Sequence, residues 1–448
     1  MALHAQLRES FPRNAFYLQT YRSRPFSRAG LLFCKQYPCR DKASVSQPAP
    51  PDNPLKGLVP YVDIDAWDQF PHSMEFHYFS IRDLMTGYET FNWSPIEKKL
   101  AVTQARGYQL IFRVMMEYPG KPNQVPQFLI NEGVKFTKWK REAADGGDCH
   151  TPDYDDPRLR KALANFVAAL GEKYDGDPRI GYVTAGILGL WGEWHNHPRT
   201  DLMAKKETQE IVMTAFEKAF TKTPVLLRYP AGENDYHYAP NANRRFGFHD
   251  DSFDWATLET GRPADDWFFM PLLKNAGALD RWKEVPIGGE IRPELWEKSF
   301  TENSHPKAQG FDECVRQSHA SWLMDTGLFS KQFPLPEKRK EKAIRSVQKM
   351  GCEFHISRWR LEGDSIEIDI ENRGVAPFYH DWPVELAAGD AILAKFDLRG
   401  ILPGETKTWK AEIKGKGPFQ LRVPNPMKGG KPLRFANKEQ GEEWLVLP

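Results

Sequence analysis

Ile180–His197 reads IGYVTAGILGLWGEWHNH. Its first part, Ile180–Leu190, is an almost unbroken apolar run. Such a run fits a strand buried on both faces, as inside a parallel sheet. Its second part, Gly189–His197 (GLWGEWHNH), sets Glu193 among Trp191, Trp194, His195 and His197. The C-terminal mouth of a parallel barrel is where catalytic groups gather. Indole rings beside Glu193 should desolvate it, disfavour its charge and suit it to general acid work.

Working outward, short apolar runs alternate with helical patterns, the signature of a parallel sheet with crossover helices. Gly57–Val62, Glu75–Ile81 and Tyr108–Met116 read as strands one to three. Ile180–Leu190 is strand four, Pro224–Tyr229 strand five and Arg245–His249 strand six. Val285–Gly289 is strand seven and His319–Leu323 strand eight. Helices are expected over Trp93–Arg106, Asp156–Tyr174 and Leu202–Phe220. The link between the first two strands is short and shows no helix. Glu117–Asp156 reads as a long loop of the functional kind.

Beyond Phe333 the pattern changes. A charged helical segment, Pro336–Met350, leads into closely spaced alternating runs separated by Gly and Pro. Such runs predict an antiparallel sandwich. The expected architecture is therefore α/β: a (β/α)8 barrel over 53–335 followed by a β-sandwich over 336–448. Residues 1–52 read as a disordered or targeting extension and linker, the linker lying in the Pro- and Ser-rich Ser44–Pro54.

A length of 448 residues suits a barrel of about 250–300 residues with a smaller partner. A formal net charge of +1 gives no electrostatic case for nucleic acid or an anionic membrane. No apolar run reaches the roughly 18 residues of a membrane-spanning helix. The 14 Trp, 15 Tyr and 28 Phe suit either sugar stacking or large cores. The five cysteines show no metal-ligand spacing, and one disulfide stays open. Short motifs for nucleotide binding, zinc proteolysis and the serine-hydrolase elbow are missing. Secretion or a periplasmic site suits the functional reading, no clear signal peptide is present, and a cytoplasmic site stays open.

The second informative stretch is PIGGEIRP, Pro286–Pro293. It places Glu290 at the end of strand seven, with Arg292 near enough in sequence to keep a carboxylate ionised. Glycosidic cleavage needs two carboxyl groups, roughly 5–5.5 Å apart in retaining enzymes and roughly 6.5–9.5 Å apart in inverting ones. Strands four and seven lie across an eight-stranded barrel, so Glu193 and Glu290 can converge over its axis. Either glutamate alone reads equally well as a salt-bridged loop residue. Candidate substrate contacts at the strand ends are Arg113, Glu117, Trp191, Trp194, His195, Tyr229, His249, Asp250, Arg292 and Trp322. No metal or cofactor is required.

Asn53–Tyr61 (NPLKGLVPY), Phe70–Ser80, Tyr118–Pro122, Gly189–His195 and Asn372–Leu386 (NRGVAPFYHDWPVEL) resemble a group of bacterial proteins with an uncharacterised domain. Members pair a glycosidase-like TIM barrel with a C-terminal β-sandwich. A more distant likeness is to clan A retaining glycosidases. These place the acid/base Glu after strand four, matching Glu193, and the nucleophile Glu after strand seven, matching Glu290. Clan A usually has Asn before the acid/base residue; Gly192 stands there in this chain. The resemblance implies a retaining glycoside hydrolase acting on an oligo- or polysaccharide. Two alternatives remain: a barrel that binds polysaccharide without cleaving it, and a hydrolase or lyase using Asp250 or Asp251.

Overall fold

A computed structural model of the chain describes residues 40–143, 145–414 and 417–448. The eight apolar runs form one parallel sheet: β1 (Gly57–Val59), β2 (Met74–Ser80), β3 (Gln109–Met115), β4 (Ile180–Thr184), β5 (Val225–Leu227), β6 (Gly247–Phe253), β7 (Ile287–Ile291) and β8 (Ala320–Met324). Their spatial order is β1-β8-β7-β6-β5-β4-β3-β2. A parallel bridge between Tyr61 and Phe76 joins the two ends. Phe76 N–H donates to Pro60 O at 2.8 Å, and Val62 N–H to Phe76 O at 3.0 Å. The sheet thus closes into a barrel.

Helices clothe it. α1 (Ser94–Ala105), α2 (Pro157–Tyr174), α3 (Lys206–Ala219), α4 (Phe269–Asn275), α5 (Phe311–Ser318) and α6 (Glu337–Gln348) follow strands in turn. α2 shows why the sequence folds so. Pro157 occupies its first turn, where a missing N–H costs nothing, and Asp156 caps the Arg158 N–H. Leu159, Leu163, Phe166, Val167 and Leu170 form its buried stripe. The link from β1 to β2 has no helix.

Four boundaries depart from the sequence reading. Strand four stops at Thr184 rather than Leu190, because Ile187 and Gly189 take left-handed backbone angles that no strand tolerates. Strand six extends to Phe253 and so includes Asp250 and Asp251. Strand seven includes Glu290. The long segment after β3 carries a hairpin of its own, Phe136–Arg141 with Gly147–Pro152.

The C-terminal part contains two four-stranded antiparallel sheets. One holds Phe354–Glu362, Ser365–Asn372 and Thr406–Glu412, with Arg40–Ala43 on its edge. The other holds Pro383–Ala388, Ala391–Asp397, Phe419–Arg422 and Leu445–Val446. Of the segment read as extension and linker, 40–52 lies among the described residues and supplies that edge strand; 1–39 lies outside them. Cys149, Cys314 and Cys352 are buried free thiols, while Cys34 and Cys39 lie outside the described residues. No helix among the described residues is long and apolar enough to cross a membrane.

The sandwich seals the barrel floor. Inward side chains Phe76, Ile111, Tyr182, Leu226 and Trp322 share one apolar cluster with sandwich residues such as Ile368, Leu386 and Trp382. The segment 372–382 makes the join. Its His380 ring lies 5.2 Å from Tyr182, and Tyr379 Oη donates to Trp282 O at 2.5 Å. Asn372 braces the segment by donating to Ala376 O and Ile401 O. Trp322 stacks on Tyr182 at 5.8 Å and lies across β7, where a side chain on Gly288 would strike the indole at 2.3 Å. Trp322→Ala will leave a cavity in this floor and cost about 3–5 kcal/mol, read as a lower denaturant midpoint.

Candidate active site

Strand alternation decides which polar groups enter the lumen. On β3 the outward residues Leu110, Phe112 and Val114 join the helix-facing core, so Arg113 points inward. The same parity turns Tyr78 on β2, Thr184 on β4, His249 and Asp251 on β6 and Glu290 on β7 inward. It turns Asp250 outward. Asp250 is fully buried, accepts from Thr257 Oγ1 at 2.7 Å and from Ser252 N–H at 3.0 Å, and is pushed up to about 7 by that burial. Asp250 is therefore no substrate contact; its neighbour Asp251 takes the lumen position.

Arg113 sits at the barrel axis, 1% exposed. Its Nη1 donates to Glu193 Oε1 at 2.8 Å and to Tyr78 Oη at 3.2 Å, and its Nε donates to Thr184 Oγ1 at 3.0 Å. Its Nη2 lies 3.3 Å from the His249 ring nitrogens. Burial and this guanidinium hold His249 well below the usual imidazole range, so His249 stays neutral.

Glu193 arrives on a contorted loop. Ile187, Gly189, Trp191, Gly192 and Trp194 all have positive φ. Side chains resist that geometry, and glycine at 189 and 192 relieves it. A Cβ at 189 would also meet the His195 backbone at 2.6 Å. Leu190 N–H donates to His195 O and Trp194 N–H to Leu188 O, both at 2.9 Å. Trp194 pins the loop from behind: it is buried, and its Nε1 donates to Ala185 O at 2.6 Å. It packs in the barrel wall and offers no face to a ligand.

Glu117 is a support as well. It accepts from Thr151 Oγ1, from Tyr154 Oη at 2.6 Å and from Asn196 Nδ2 at 3.1 Å. Tyr154 Oη in turn accepts from Gly189 N–H at 2.8 Å, so Glu117 holds the Glu193 loop from beneath. Trp322 lies in the floor, fully buried below His249. Arg292 does not serve Glu290. It pairs with Glu294 at 3.0 Å, donates to Ser252 Oγ and lies over the Trp255 ring.

Sequence reasoning left Asp250 and Asp251 as alternatives and did not single out Arg228, Tyr61, Tyr78 and Tyr118 as site residues. Arg228, 3% exposed, ion-pairs with Asp251 Oδ1 at 2.6 Å and holds it well below the carboxylate range. The period-two count along β6, once its extent is known, would have chosen Asp251 over Asp250. An aromatic arc borders the mouth: Tyr61, Tyr78, Tyr118, Trp191, His195 and Tyr229 follow one another at 6.0–6.4 Å. Tyr229 stacks on Tyr238 at 4.7 Å. Trp191, His195 and Tyr229 thus share a half-buried rim beside the carboxyl groups.

Glu193, His195 and Asp251 present ligand-type atoms within 4.8 Å of one another. The cluster fits ion pairing better than a cation. Each carboxylate already holds an arginine, and His197 N–H donates to His195 Nδ1 at 3.4 Å. His195 Nε2 faces Glu193 Oε2 at 3.6 Å.

Glu290 is 8% exposed and makes no hydrogen bond or ion pair among the described residues. Burial, then the charge of Glu193, push it up to about 8, against the opposing effect of Arg113.

No protein-family model matches the chain, and no curated protein matches it. Solved structures similar to it include endo-glycoceramidase II from Rhodococcus sp., at 12% identity and TM-score 0.43 over 81% of this chain and 98% of that one. They also include the catalytic domain of β-amylase from Paenibacillus polymyxa, at 10% and 0.40 over 65% and 97%. A third is a family 39 glycoside hydrolase from Bacteroides cellulosilyticus, at 10% and 0.38 over 81% and 82%. Likenesses this distant carry no argument about activity.

The Glu290 carboxyl has a stability signature. Its raised proton affinity means the fold loses stability as pH climbs from the ordinary 4.5 toward about 8, where an unfolded Glu ionises and the folded one does not. Glu290→Gln removes this loss. Chemical denaturation will find the variant more stable than wild type at pH 8 and the gap closing toward pH 4.5.

Proposed function

We propose that this protein is a glycoside hydrolase that uses Glu193 and Glu290 as its carboxyl pair, with an oligo- or polysaccharide as substrate. The observation that carries the reading is electrostatic and geometric together. Two glutamates from opposite sides of the barrel share one aromatic-lined mouth, close enough for the charge of one to raise the proton affinity of the other. Burial and that charge raise the proton affinity of Glu290, while Glu193 lies in an ion pair with Arg113, a division of roles that cleavage of a glycosidic bond requires.

The protonated group gives its proton to the glycosidic oxygen as the bond to the anomeric carbon breaks. The ionised group meets the positive charge that develops on that carbon and the ring oxygen. In a retaining mechanism the ionised group attacks directly and forms a covalent glycosyl-enzyme. Water then completes the cycle, with the first residue now acting as base. Tyr118, Trp191 and Tyr229 supply flat apolar faces for sugar rings. Asp251, fixed by Arg228, adds a second ionised carboxylate beside the developing positive charge. The 2-hydroxyl contact that Asn supplies in clan A has no counterpart at Gly192.

Activity across a panel of oligosaccharides, read as released reducing sugar, tests the proposal. Glu193→Gln and Glu290→Gln should each lower kcat by about 10²–10⁴-fold on whichever glycan is cleaved, with the fold intact by circular dichroism. Saccharide binding by calorimetry with no turnover of any glycan by wild type would replace hydrolysis with the non-catalytic binding role.

A further inference from the structure

Three carboxyl groups enter the mouth, and two fixed cations meet them. Arg113 is spent on Glu193 at 2.8 Å and Arg228 on Asp251 at 2.6 Å. Both guanidiniums are buried and keep their charge. Glu290 has neither a cation nor a hydrogen-bond donor of its own among the described residues. The groups whose charges act on it are Glu193, Asp251 and Asp325, which oppose its ionisation, and Arg113, which favours it. Three tyrosines feel it in turn: Tyr61 beyond β1, Tyr78 on β2 and Tyr118 beyond β3. An ionised Glu290 would be a third anion in a buried site holding two cations. An uncompensated charge of this kind is strongly disfavoured, and a proton removes it.

We infer that Glu290 is the proton donor of the pair and Glu193, held in an ion pair by Arg113, the nucleophile, the reverse of the strand-four acid and strand-seven nucleophile order. The inference rests on the two-carboxylate reading and assigns the roles within it. The Glu290 proton passes to the glycosidic oxygen, which leaves as an alcohol with the electron pair of the broken bond. A Glu193 carboxylate oxygen bonds to the anomeric carbon. Water then attacks that carbon, its proton goes to the Glu290 carboxylate, and the bond to Glu193 breaks. Arg113 suits Glu193 to this part, since it fixes one oxygen and offsets the carboxylate charge as it leaves in the second step.

Two measurements on the full chain decide the matter. The first needs no substrate. Wild-type minus Glu290→Gln infrared difference spectra at neutral pH should show a protonated-carboxyl band, the buried Asp250 carboxyl being common to both proteins and cancelling. The second compares alkyl glycosides with dinitrophenyl glycosides, whose leaving group needs no proton. Glu290→Gln should lose about 10³-fold in kcat/KM on alkyl glycosides yet stay within about tenfold of wild type on dinitrophenyl ones. The alkaline limb of its pH profile, set near pH 8 in wild type, should vanish. Glu193→Gln should lose about 10³-fold on both substrate types. The opposite pattern, with the dinitrophenyl rate spared in Glu193→Gln, overturns the assignment, as does a difference spectrum without that band. Should wild type cleave no glycoside at all, the hydrolase reading falls, and the infrared band still tells where the proton resides.

Discussion

A single buried guanidinium organises the centre of this molecule. Arg113 lies on the barrel axis, where water cannot solvate it, so each of its donors must find a protein partner. Those partners are Glu193, Thr184, Tyr78 and His249. One cation thereby ties together β2, β3, β4, β6 and the loop bearing Glu193. It also sets the charge state of its neighbours. Glu193 gains a permanent counter-ion, His249 loses any reason to protonate, and Glu290 is left without a cation.

Around this core the structure pays for position with backbone strain. The Glu193 loop holds five residues with positive φ, three of them not glycine. Such strain persists only where surrounding contacts over-determine it. Here those contacts are the buried Trp194 indole, the turn hydrogen bonds between Leu188 and His195, and the Glu117–Tyr154–Asn196 cluster beneath. Groups that look like ligand contacts in the sequence are instead the braces that aim one carboxyl group.

The two ends of the barrel have opposite duties. The floor is apolar and shared with the sandwich, whose 372–382 segment docks against Tyr182 and Trp282. The mouth is polar and aromatic, with Trp191, His195 and Tyr229 half-buried at its rim. The sandwich therefore braces the barrel through the cluster of Phe76, Tyr182 and Trp322.

Much of this was legible from the chain alone. Apolar runs with helical segments between them dictate a parallel barrel, since both faces of each strand must be buried. The strand-four and strand-seven glutamates were legible too, because barrel connectivity puts both at one mouth. Side-chain direction was not. Asp250 and Asp251 are adjacent and chemically alike, and only the observed extent of β6 sends one to the core and the other to the lumen. Trp194 and Trp322 read as candidate substrate contacts, yet packing buries them in the wall and floor. Arg292 sits two residues from Glu290 and pairs elsewhere, whereas Arg113, far away in sequence, reaches the centre. Sequence determines period and composition, and through them the fold. Charge pairing and proton affinity depend on distances across the barrel, and these exist only once the sheet has closed.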